Sequence, residues 1–250
     1  MHWRLLKMKS VLLINMIVGV VFFVCYFYQF VYVAVPFVRK HRSASPKTVK
    51  LHRYAVLISA RNEEVVIANL INSIKHQTYP GELVTTFVVA DNCTDKTAKV
   101  AEAAGAVVYV RNNKELVGKG YALDYLLGKI RQDFPEGFDG YFVFDADNVL
   151  DVNYIAEMNK TFCQGYKIMT SYRNSKNYGD NWITAGYGLW FLRESVYLNG
   201  ARMLMGTSCA VSGTGFMFSR EIMEKCGWKF FLLTEDIPVS YTHLRRRPCR

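Results

Sequence analysis

Hydrophobic and polar positions divide this chain of 250 residues into an N-terminal apolar segment and a longer region of mixed pattern. Ser10 to Val38 are 29 consecutive residues without Lys, Arg, Asp, Glu or His. A helix needs about 20 apolar residues to cross the hydrocarbon core of a bilayer. The segment is too long for the apolar core of a secretory signal peptide, so the pattern predicts one retained transmembrane helix.

The region from Tyr54 onward alternates short apolar runs with segments whose apolar residues recur at helical spacing. The apolar runs predict strands at Tyr54–Ala60, Leu83–Ala90, Val107–Val110, Tyr141–Phe144 and Lys167–Ser171. The other segments predict helices around Ile67–Ile74, from Thr94 or Asp95 to Ala104, and at Leu123–Ile130 and Tyr154–Phe162. Elements that alternate at this spacing form βαβ units. The pattern therefore predicts an α/β domain with a mostly parallel sheet.

Polar and acidic residues follow three of the predicted strands at the point where each strand ends. They are Asn62-Glu63-Glu64, Asp91-Asn92 and Asp145-Ala146-Asp147-Asn148. The carboxyl ends of parallel strands meet at one edge of a sheet, and open α/β sheets bind their ligands beyond that edge. We therefore expect these residues to converge on a ligand site.

Asp145 and Asp147 form the most informative of these clusters. Two carboxylates separated by one residue on extended backbone point to the same side, and like charges this close repel unless a cation lies near them. Hard cations such as Mg²⁺ or Mn²⁺ bind one or two carboxylates and complete their shell with water and substrate phosphates. The pair predicts a metal–diphosphate site, although a solvated turn has the same composition.

The net charge of +10 is concentrated at the two ends of the chain. Residues 1–62 contain ten Lys or Arg and no acidic residue, and residues 240–250 contain four Arg. Residues 63–239, by contrast, contain 17 basic and 21 acidic residues. A nucleic-acid-binding domain carries its positive charge on the folded surface that meets phosphate, so this distribution argues against a nucleic-acid partner.

The basic residues that flank the apolar segment predict its orientation. Three precede it (Arg4, Lys7 and Lys9), and six follow it between Arg39 and Arg53. The flank that is richer in Lys and Arg stays on the cytoplasmic side. We therefore expect a protein of the cell membrane with a single span in this chain and its folded domain in the cytoplasm.

Other common catalytic sites lack their motifs in this sequence. No GxGxxG follows the first strand, and Gly118-Lys119-Gly120 lacks the P-loop frame, which argues against a nicotinamide-dependent enzyme and a P-loop ATPase. The five histidines are scattered and show no zinc-ligand spacing or Ser-His-Asp arrangement.

Seven ordered motifs between Tyr54 and Ile237 make the chain resemble the family 2 glycosyltransferases of the GT-A fold, especially the membrane-bound synthases of cellulose, chitin and hyaluronan. The motifs are SARNEE (Ser59–Glu64), QTYP (Gln77–Pro80), VVADNCTDKT (Val88–Thr97), GKGYAL (Gly118–Leu123), FDADN (Phe144–Asn148), SGTGFMFSR (Ser212–Arg220) and LTEDI (Leu233–Ile237). The resemblance implies a GT-A fold and metal-dependent, inverting sugar transfer from a nucleotide sugar, UDP-linked, to a glycan or lipid-linked acceptor.

The resemblance also implies a role for individual residues. The residues implied for nucleotide-sugar binding are Ser59, Arg61, Asn62, Glu63, Asp91, Lys119 and Asp145. Asp145 and Asp147 would bind Mg²⁺ or Mn²⁺ with the diphosphate, Asp147 as the more direct ligand. Asp236 would be the general base, with Glu235 beside it in the catalytic pair.

Several of these residues also have a purely structural interpretation. Glu63 could be a charged first turn of a helix, Asp91 a helix cap and Lys119 a solvated side chain. Gly213 and Gly215 could serve a tight turn or a close approach of the backbone to the acceptor. The tryptophans Trp182, Trp190 and Trp228 are expected in the core, with one of them stacked on an acceptor sugar as the alternative.

The sequence organisation predicts an anchor at 1–40, a basic linker at 41–53, a glycosyltransferase domain at 54–239 and an atypical basic tail at 240–250. The family continues after the LTEDI motif with a QxxRW-type motif and further membrane helices, whereas this chain has 13 residues after Ile237. We therefore expect a truncated C-terminus. Transfer to a polyprenyl phosphate carrier and a non-catalytic nucleotide-sugar-binding fragment remain as alternatives.

Overall fold

Six strands form a single sheet in the computed structural model, which describes residues 2–38, 48–211, 213–228 and 231. The strands are β1 (Tyr54–Ala60), β2 (Val84–Asp91), β3 (Val107–Arg111), β4 (Gly140–Asp145), β5 (Ile168–Thr170) and β6 (Phe216–Ser219), in the order β3-β2-β1-β4-β6-β5. Strand β1 is parallel to β2 and β4, and β2 is parallel to β3. Strand β6 is antiparallel to β4 and β5. The predicted mostly parallel α/β sheet is therefore confirmed.

Eight helices accompany the strands in the described part of the chain. They are α1 (His2–Val38), α2 (Ile67–Lys75), α3 (Thr97–Ala103), α4 (Lys119–Asp133), α5 (Tyr154–Phe162), α6 (Trp182–Leu192), α7 (Ala201–Leu204) and α8 (Arg220–Cys226). A 3₁₀ turn covers Gly81–Leu83, and a π-helical segment, Arg193–Gly200, joins α6 to α7.

The alternation of side chains along β1 explains why the sheet is covered on both faces. Ala55 and Leu57 point to one face, where they pack with Leu123 of α4. Val56 and Ile58 point to the other face, where α2, α3 and α5 lie. Because both faces are covered, residues 54–58 of this strand are buried and largely apolar, as expected for a central parallel strand, and the polar residue Ser59 comes only near its carboxyl end.

The chain divides into two units. The first contains α1 together with residues 172–209, which include α6, the π-helical segment and α7; the second contains the sheet and the other helices. Within the first unit, α1 packs against the π-helical segment and α7. The sequence pattern did not indicate that residues 172–209, inside the predicted domain, would group with the N-terminal helix.

The N-terminal helix has the length and composition that the sequence predicted. Its Val11–Val38 portion has 28 residues and is long and apolar enough to cross a membrane. The predicted linker and tail fall largely outside the described residues, since residues 39–47 and 232–250 are not described.

Helix α2 ends at Lys75, one residue after the predicted Ile74. The Gln77 side chain donates to the backbone oxygen of Ser73 at 3.1 Å and to that of Asp151 at 2.6 Å. This side chain therefore ends the helix and ties it to the loop before α5.

Candidate active site at the strand ends

The strand register brings the three predicted polar clusters to one edge of the sheet. Ser59 of β1 lies level with Asp145 of β4, and Ala60 lies level with Ala90, one residue before Asp91. Asp91 in turn lies level with Arg111 at the end of β3. The expected convergence of strand ends is thus found.

Lys119 connects the GKGYAL, FDADN and SGTGF motifs. Its Nζ lies 2.7 Å from Asp145 Oδ1 and donates to the backbone oxygen of Gly213 at 3.0 Å. Gly118, which precedes α4, has φ +137°, a backbone conformation that residues other than glycine rarely adopt. The glycine therefore lets the chain turn into α4 so that the first residue of that helix projects onto the carboxylate.

Thr214 and Asn148 hold the other side of the acidic motif. The backbone N–H of Asp145 donates to Thr214 Oγ1 at 2.8 Å, and the hydroxyl of Thr214 donates to Asn148 Oδ1 at 2.6 Å. The Asn148 amide donates to Asp147 Oδ1 at 3.0 Å. Asp147 is exposed whereas Asp145 is partly covered, so the two carboxylates differ in their access to a ligand.

The Gly213–Gly215 turn is held in place by a hydrogen bond from Tyr154. The Tyr154 hydroxyl donates to the backbone oxygen of Gly215 at 3.1 Å, and burial raises the pKa of this phenol to about 12, so it remains a donor at neutral pH. Both glycines have positive φ, +60° and +71°. A tight turn therefore accounts for these glycines, and it places the Gly213 carbonyl against Lys119.

Asp91 is buried and paired with Arg111, a residue the sequence analysis did not single out. The Arg111 guanidinium lies 2.5 Å from Asp91 Oδ1 and also donates to the backbone oxygen of Leu116 at 2.7 Å. Only 6% of the Asp91 side chain and 7% of the Arg111 side chain are exposed. The ion pair fixes the ends of β2 and β3 relative to each other.

The loop after β1 is held against the loop after β2. Asn62 has φ +56°, a left-handed conformation that asparagine tolerates better than most residues. Its Oδ1 accepts from the backbone N–H of Thr94 at 2.8 Å, and the backbone N–H of Glu63 donates to Thr97 Oγ1 at 2.8 Å. Ser59 is partly covered and Arg61 is exposed at this edge.

The donor set at Asp145 and Asp147 fits a hard divalent cation that shares its shell with a diphosphate. Both side chains offer carboxylate oxygens, and Mg²⁺ needs only one or two of these beside water and phosphate oxygens. Within the described ranges, no three His, Cys, Asp or Glu side chains are grouped to hold a metal ion. Such a cation would therefore depend on ligands from the nucleotide as well as from the protein.

The two predicted catalytic residues, Glu235 and Asp236, lie outside the described residues. The other predicted site residues lie at the sheet edge. Arg111, Thr214 and Asn148 join them there. Arg111 could have been found from its position at the end of the strand next to Asp91. Thr214 and Asn148 could have been found because they belong to the SGTGFMFSR and FDADN motifs.

Comparisons with known proteins match most of the chain. The family model described as glycosyltransferase like family 2 matches residues 52–247. Beta-monoglucosyldiacylglycerol synthase of Nostoc sp. is 25% identical over 199 residues, which cover 75% of this chain and 40% of that protein. Protein RfbJ of Shigella flexneri is 33% identical over 104 residues, which cover 42% of this chain and 71% of that protein.

Among solved structures, the mannosyltransferase PcManGT from Pyrobaculum calidifontis, in complex with GDP-Man and Mn²⁺, is similar with a TM-score of 0.66. It is 16% identical, and the match covers 88% of this chain and 58% of that chain. This similarity is one of fold. The chain spans 40% of the length of the synthase of Nostoc sp..

Proposed function

This chain belongs to glycosyltransferase family 2, and we propose that it transfers a sugar from a UDP-sugar to a hydroxyl group of a glycan or lipid-linked acceptor, with inversion at the anomeric carbon. The observation that carries the proposal is the cluster at the carboxyl edge of the sheet. There Lys119 contacts Asp145 at 2.7 Å, and Asp147 lies exposed beside it. This edge carries the Lys119 ammonium and two carboxylates that can bind a divalent cation, and such an edge of an α/β sheet is suited to a diphosphate.

The nucleoside would lie over the ends of β1 and β2. Asp91 is positioned there by Arg111, and the Asn62 loop is fixed against Thr94. A carboxylate at this position can accept from an N–H of a nucleobase, which both uracil and guanine carry. The SARNEE and VVADN motifs favour UDP, and a comparison with GDP-sugars tests that preference.

The leaving diphosphate would be held by charge. Asp147 and Asp145 would bind Mg²⁺ or Mn²⁺, and such a cation supplies stabilisation of the negative charge that develops on the diphosphate. Lys119 is close enough to Asp145 to contribute its own charge to the same group. The Gly213 carbonyl keeps the Lys119 ammonium at this edge.

Transfer requires a base on the acceptor side. We propose that the Asp236 carboxylate, next to Glu235, takes the proton from the acceptor hydroxyl. The acceptor oxygen then bonds to the anomeric carbon as the bond from that carbon to the diphosphate oxygen breaks. Attack from the face opposite the leaving group inverts the anomeric centre.

The names of the relatives favour a lipid acceptor over a free glycan. The relative from Nostoc sp. is named for synthesis of a glucosyl diacylglycerol, and α1 would keep this chain at a membrane. A polyprenyl phosphate acceptor is the second candidate, because it too would be presented by the bilayer.

Calorimetric titration of the full chain with UDP-sugars and GDP-sugars, with Mn²⁺ or with EDTA, tests donor binding. We expect binding that EDTA removes, and a loss of at least about tenfold in affinity in Asp147→Asn, because the variant removes one charged ligand of the cation that holds the diphosphate. Asp124→Asn, which alters an exposed carboxylate of α4, is the matched control. Equal affinity with and without EDTA would exclude the metal, and tighter binding of GDP-sugars would exclude the UDP preference.

Turnover with diacylglycerol vesicles separates the base from the donor site, because this acceptor offers a hydroxyl whose proton must be removed, whereas a polyprenyl phosphate offers an oxygen that is already ionised. We expect Asp236→Asn to reduce kcat by about 10²–10⁴-fold with little change in donor affinity, because a base acts only on the acceptor. Near-normal turnover in Asp236→Asn would place the base elsewhere. Loss of donor affinity equal to that of Asp147→Asn would assign Asp236 to the nucleotide site instead.

A further inference from the structure

Helix α6 exposes a face made almost entirely of large apolar and aromatic residues. We call these residues the aromatic face: Trp182, Ile183, Tyr187, Leu189 and Trp190. At 100° per residue they lie within about 160° of the helix circumference. Trp182 is 83% exposed and Trp190 is 59% exposed, which contradicts the expectation that these tryptophans belong to the core. Trp228 alone among the three follows it, being 5% exposed.

The other side of α6 is covered by its own unit. Gly188 is buried, and a Cβ atom there would lie 3.1 Å from Asn174 Oδ1. Asn181 begins the helix with a capping box, in which its side chain accepts from the backbone N–H of Ile183 and of Thr184. The helix is therefore a well-formed element whose exposed side is apolar by sequence, since residues 182–192 contain no charged side chain.

The helical segment that continues α6 packs on the C-terminal part of α1. Arg193 donates to Gln29 Oε1 at 2.6 Å, and the Arg202 guanidinium lies 5.8 Å from the centre of the Tyr32 ring. The rings of Phe37 and Tyr197 are stacked with their centres 6.4 Å apart. These contacts fall on Gln29, Tyr32 and Phe37, in the C-terminal third of α1.

The length of α1 places these contacts near the boundary of a bilayer. Val11–Val38 has 28 residues, which at about 1.5 Å per residue extend about 42 Å. The hydrocarbon core of a bilayer is about 30 Å thick. The segment is longer than the core, and because Gln29 and Tyr32 carry the polar groups that suit the headgroup interface, we place the core over the stretch from about Val11 to about Phe30.

We propose that α6 is a membrane-interface helix whose aromatic face inserts into the bilayer beside α1. Tryptophan and tyrosine are enriched at this depth because their rings combine an apolar body with a polar group. A helix whose apolar side lies in the plane of the interface is a recognised mode of membrane attachment. This inference rests on α1 spanning a membrane and is independent of sugar transfer.

The charges that follow the aromatic face agree with this placement. Arg193 directly follows α6, and its guanidinium lies 5.3 Å from the centre of the Trp190 ring. Glu194 is paired with Arg173 at 3.1 Å. Arginine side chains at a membrane boundary place their charge among the headgroups while their stems remain in apolar surroundings. The transition from an uncharged helix to a charged one therefore coincides with the contact on Gln29.

Quenching of tryptophan fluorescence by brominated lipid tests the proposal on the full chain reconstituted in phosphatidylcholine bilayers. The chain contains four tryptophans, Trp3, Trp182, Trp190 and Trp228. We expect dibromo-phosphatidylcholine to quench the wild-type emission, and the double variant Trp182→Phe, Trp190→Phe to lose at least about half of that quenching. Trp228→Phe is the control, because Trp228 is buried and its Nε1 donates to the backbone oxygen of Gly120 at 3.0 Å.

Both substituted tryptophans are exposed, and phenylalanine keeps an aromatic ring at each position, so we expect the double variant to fold as the wild type does. Aqueous iodide provides the opposite measurement, and we expect the emission of Trp182 and Trp190, taken as the difference between wild type and double variant, to be protected from iodide in bilayers. Equal bromolipid quenching in wild type and double variant would overturn the proposal. So would crosslinking through residues 182–190 to a second copy, since the face would then be covered by protein.

Discussion

Arg111 fixes Asp91, the residue proposed to contact the nucleoside. It is 7% exposed and pairs with Asp91 at 2.5 Å, so each charge is buried against the other. Breaking a buried ion pair by removing one partner leaves an uncompensated charge, which is more costly than removing both. Arg111, which belongs to none of the sequence motifs, therefore stabilises the position and charge of Asp91, which belongs to the VVADNCTDKT motif.

We predict that Arg111→Met lowers the free energy of unfolding by about 3–5 kcal/mol, because Asp91 then remains buried without its partner. The double variant Arg111→Met, Asp91→Leu should recover most of that loss. Thermal unfolding in detergent measures both. Arg61→Met, at an exposed position in the same edge, is the control and should stay within about 0.5 kcal/mol of wild type. A double variant as unstable as Arg111→Met would show that packing, not charge, is lost.

At this scale the sequence predicted the residues whose chemistry is local. Asp145 and Asp147 were recognisable because two carboxylates at a strand end are unusual side chains in an apolar context. The contact of Lys119 with Gly213 joins positions 94 residues apart, and no local pattern encodes it. The pairing of Asp91 with Arg111 likewise follows from β2 and β3 being neighbours in register, which only the folded sheet establishes.

Among the secondary-structure elements, α5 anchors the segment around Lys50, which leads into β1. Its Asn159, 1% exposed, accepts from the Tyr54 hydroxyl at 2.7 Å and donates to the backbone oxygen of Lys50 at 3.0 Å. Burial raises the pKa of Tyr54 above its ordinary value, so this phenol stays protonated and can donate. Tyr79 adds a hydrogen bond to the same amide oxygen at 3.3 Å.

We predict that Asn159→Leu destabilises the sheet unit by about 1–3 kcal/mol for each buried polar group that loses its partner. The Tyr54 hydroxyl is such a group, whereas the exposed Lys50 carbonyl keeps the Cys163 thiol as a donor at 3.3 Å. Chemical unfolding measures the loss. The control is Asn69→Leu on the exposed side of α2, which should change the free energy of unfolding by less than about 0.5 kcal/mol. Equal stability of the two variants would contradict the anchoring role.

The elements that the sequence placed well are those whose burial is periodic. Helix α5 spans Tyr154–Phe162 as predicted, because its apolar spacing is regular and it packs on one face of the sheet. Residues 182–204 gave no such pattern, since apolar residues surround α6 on all sides. Helix α6 has one side against its own unit and the other exposed, and a sequence that is apolar throughout does not distinguish the two.

The whole chain has a charge distribution that differs from its division into units. Nine of the ten basic residues of positions 1–62 flank the uncharged segment Ser10–Val38, whereas residues 63–239 are slightly acidic. The grouping of residues 172–209 with α1 was not predictable, because no local feature of that segment names its partner. The predicted domain bounds stay a prediction, and the packing groups residues 172–209 with α1.

The excess of Lys and Arg after α1 predicts that the sheet unit faces the cytoplasm, where nucleotide sugars would reach the strand-end site. A cysteine placed at the exposed Glu102 of α3 reports on this. We expect an impermeant maleimide to modify Glu102→Cys only after lysis of the cells, with the modified peptide identified by mass spectrometry. Wild-type chain, which has Glu102, controls for the six native cysteines. Modification of Glu102→Cys on intact cells would reverse the orientation, because the reagent cannot cross the bilayer.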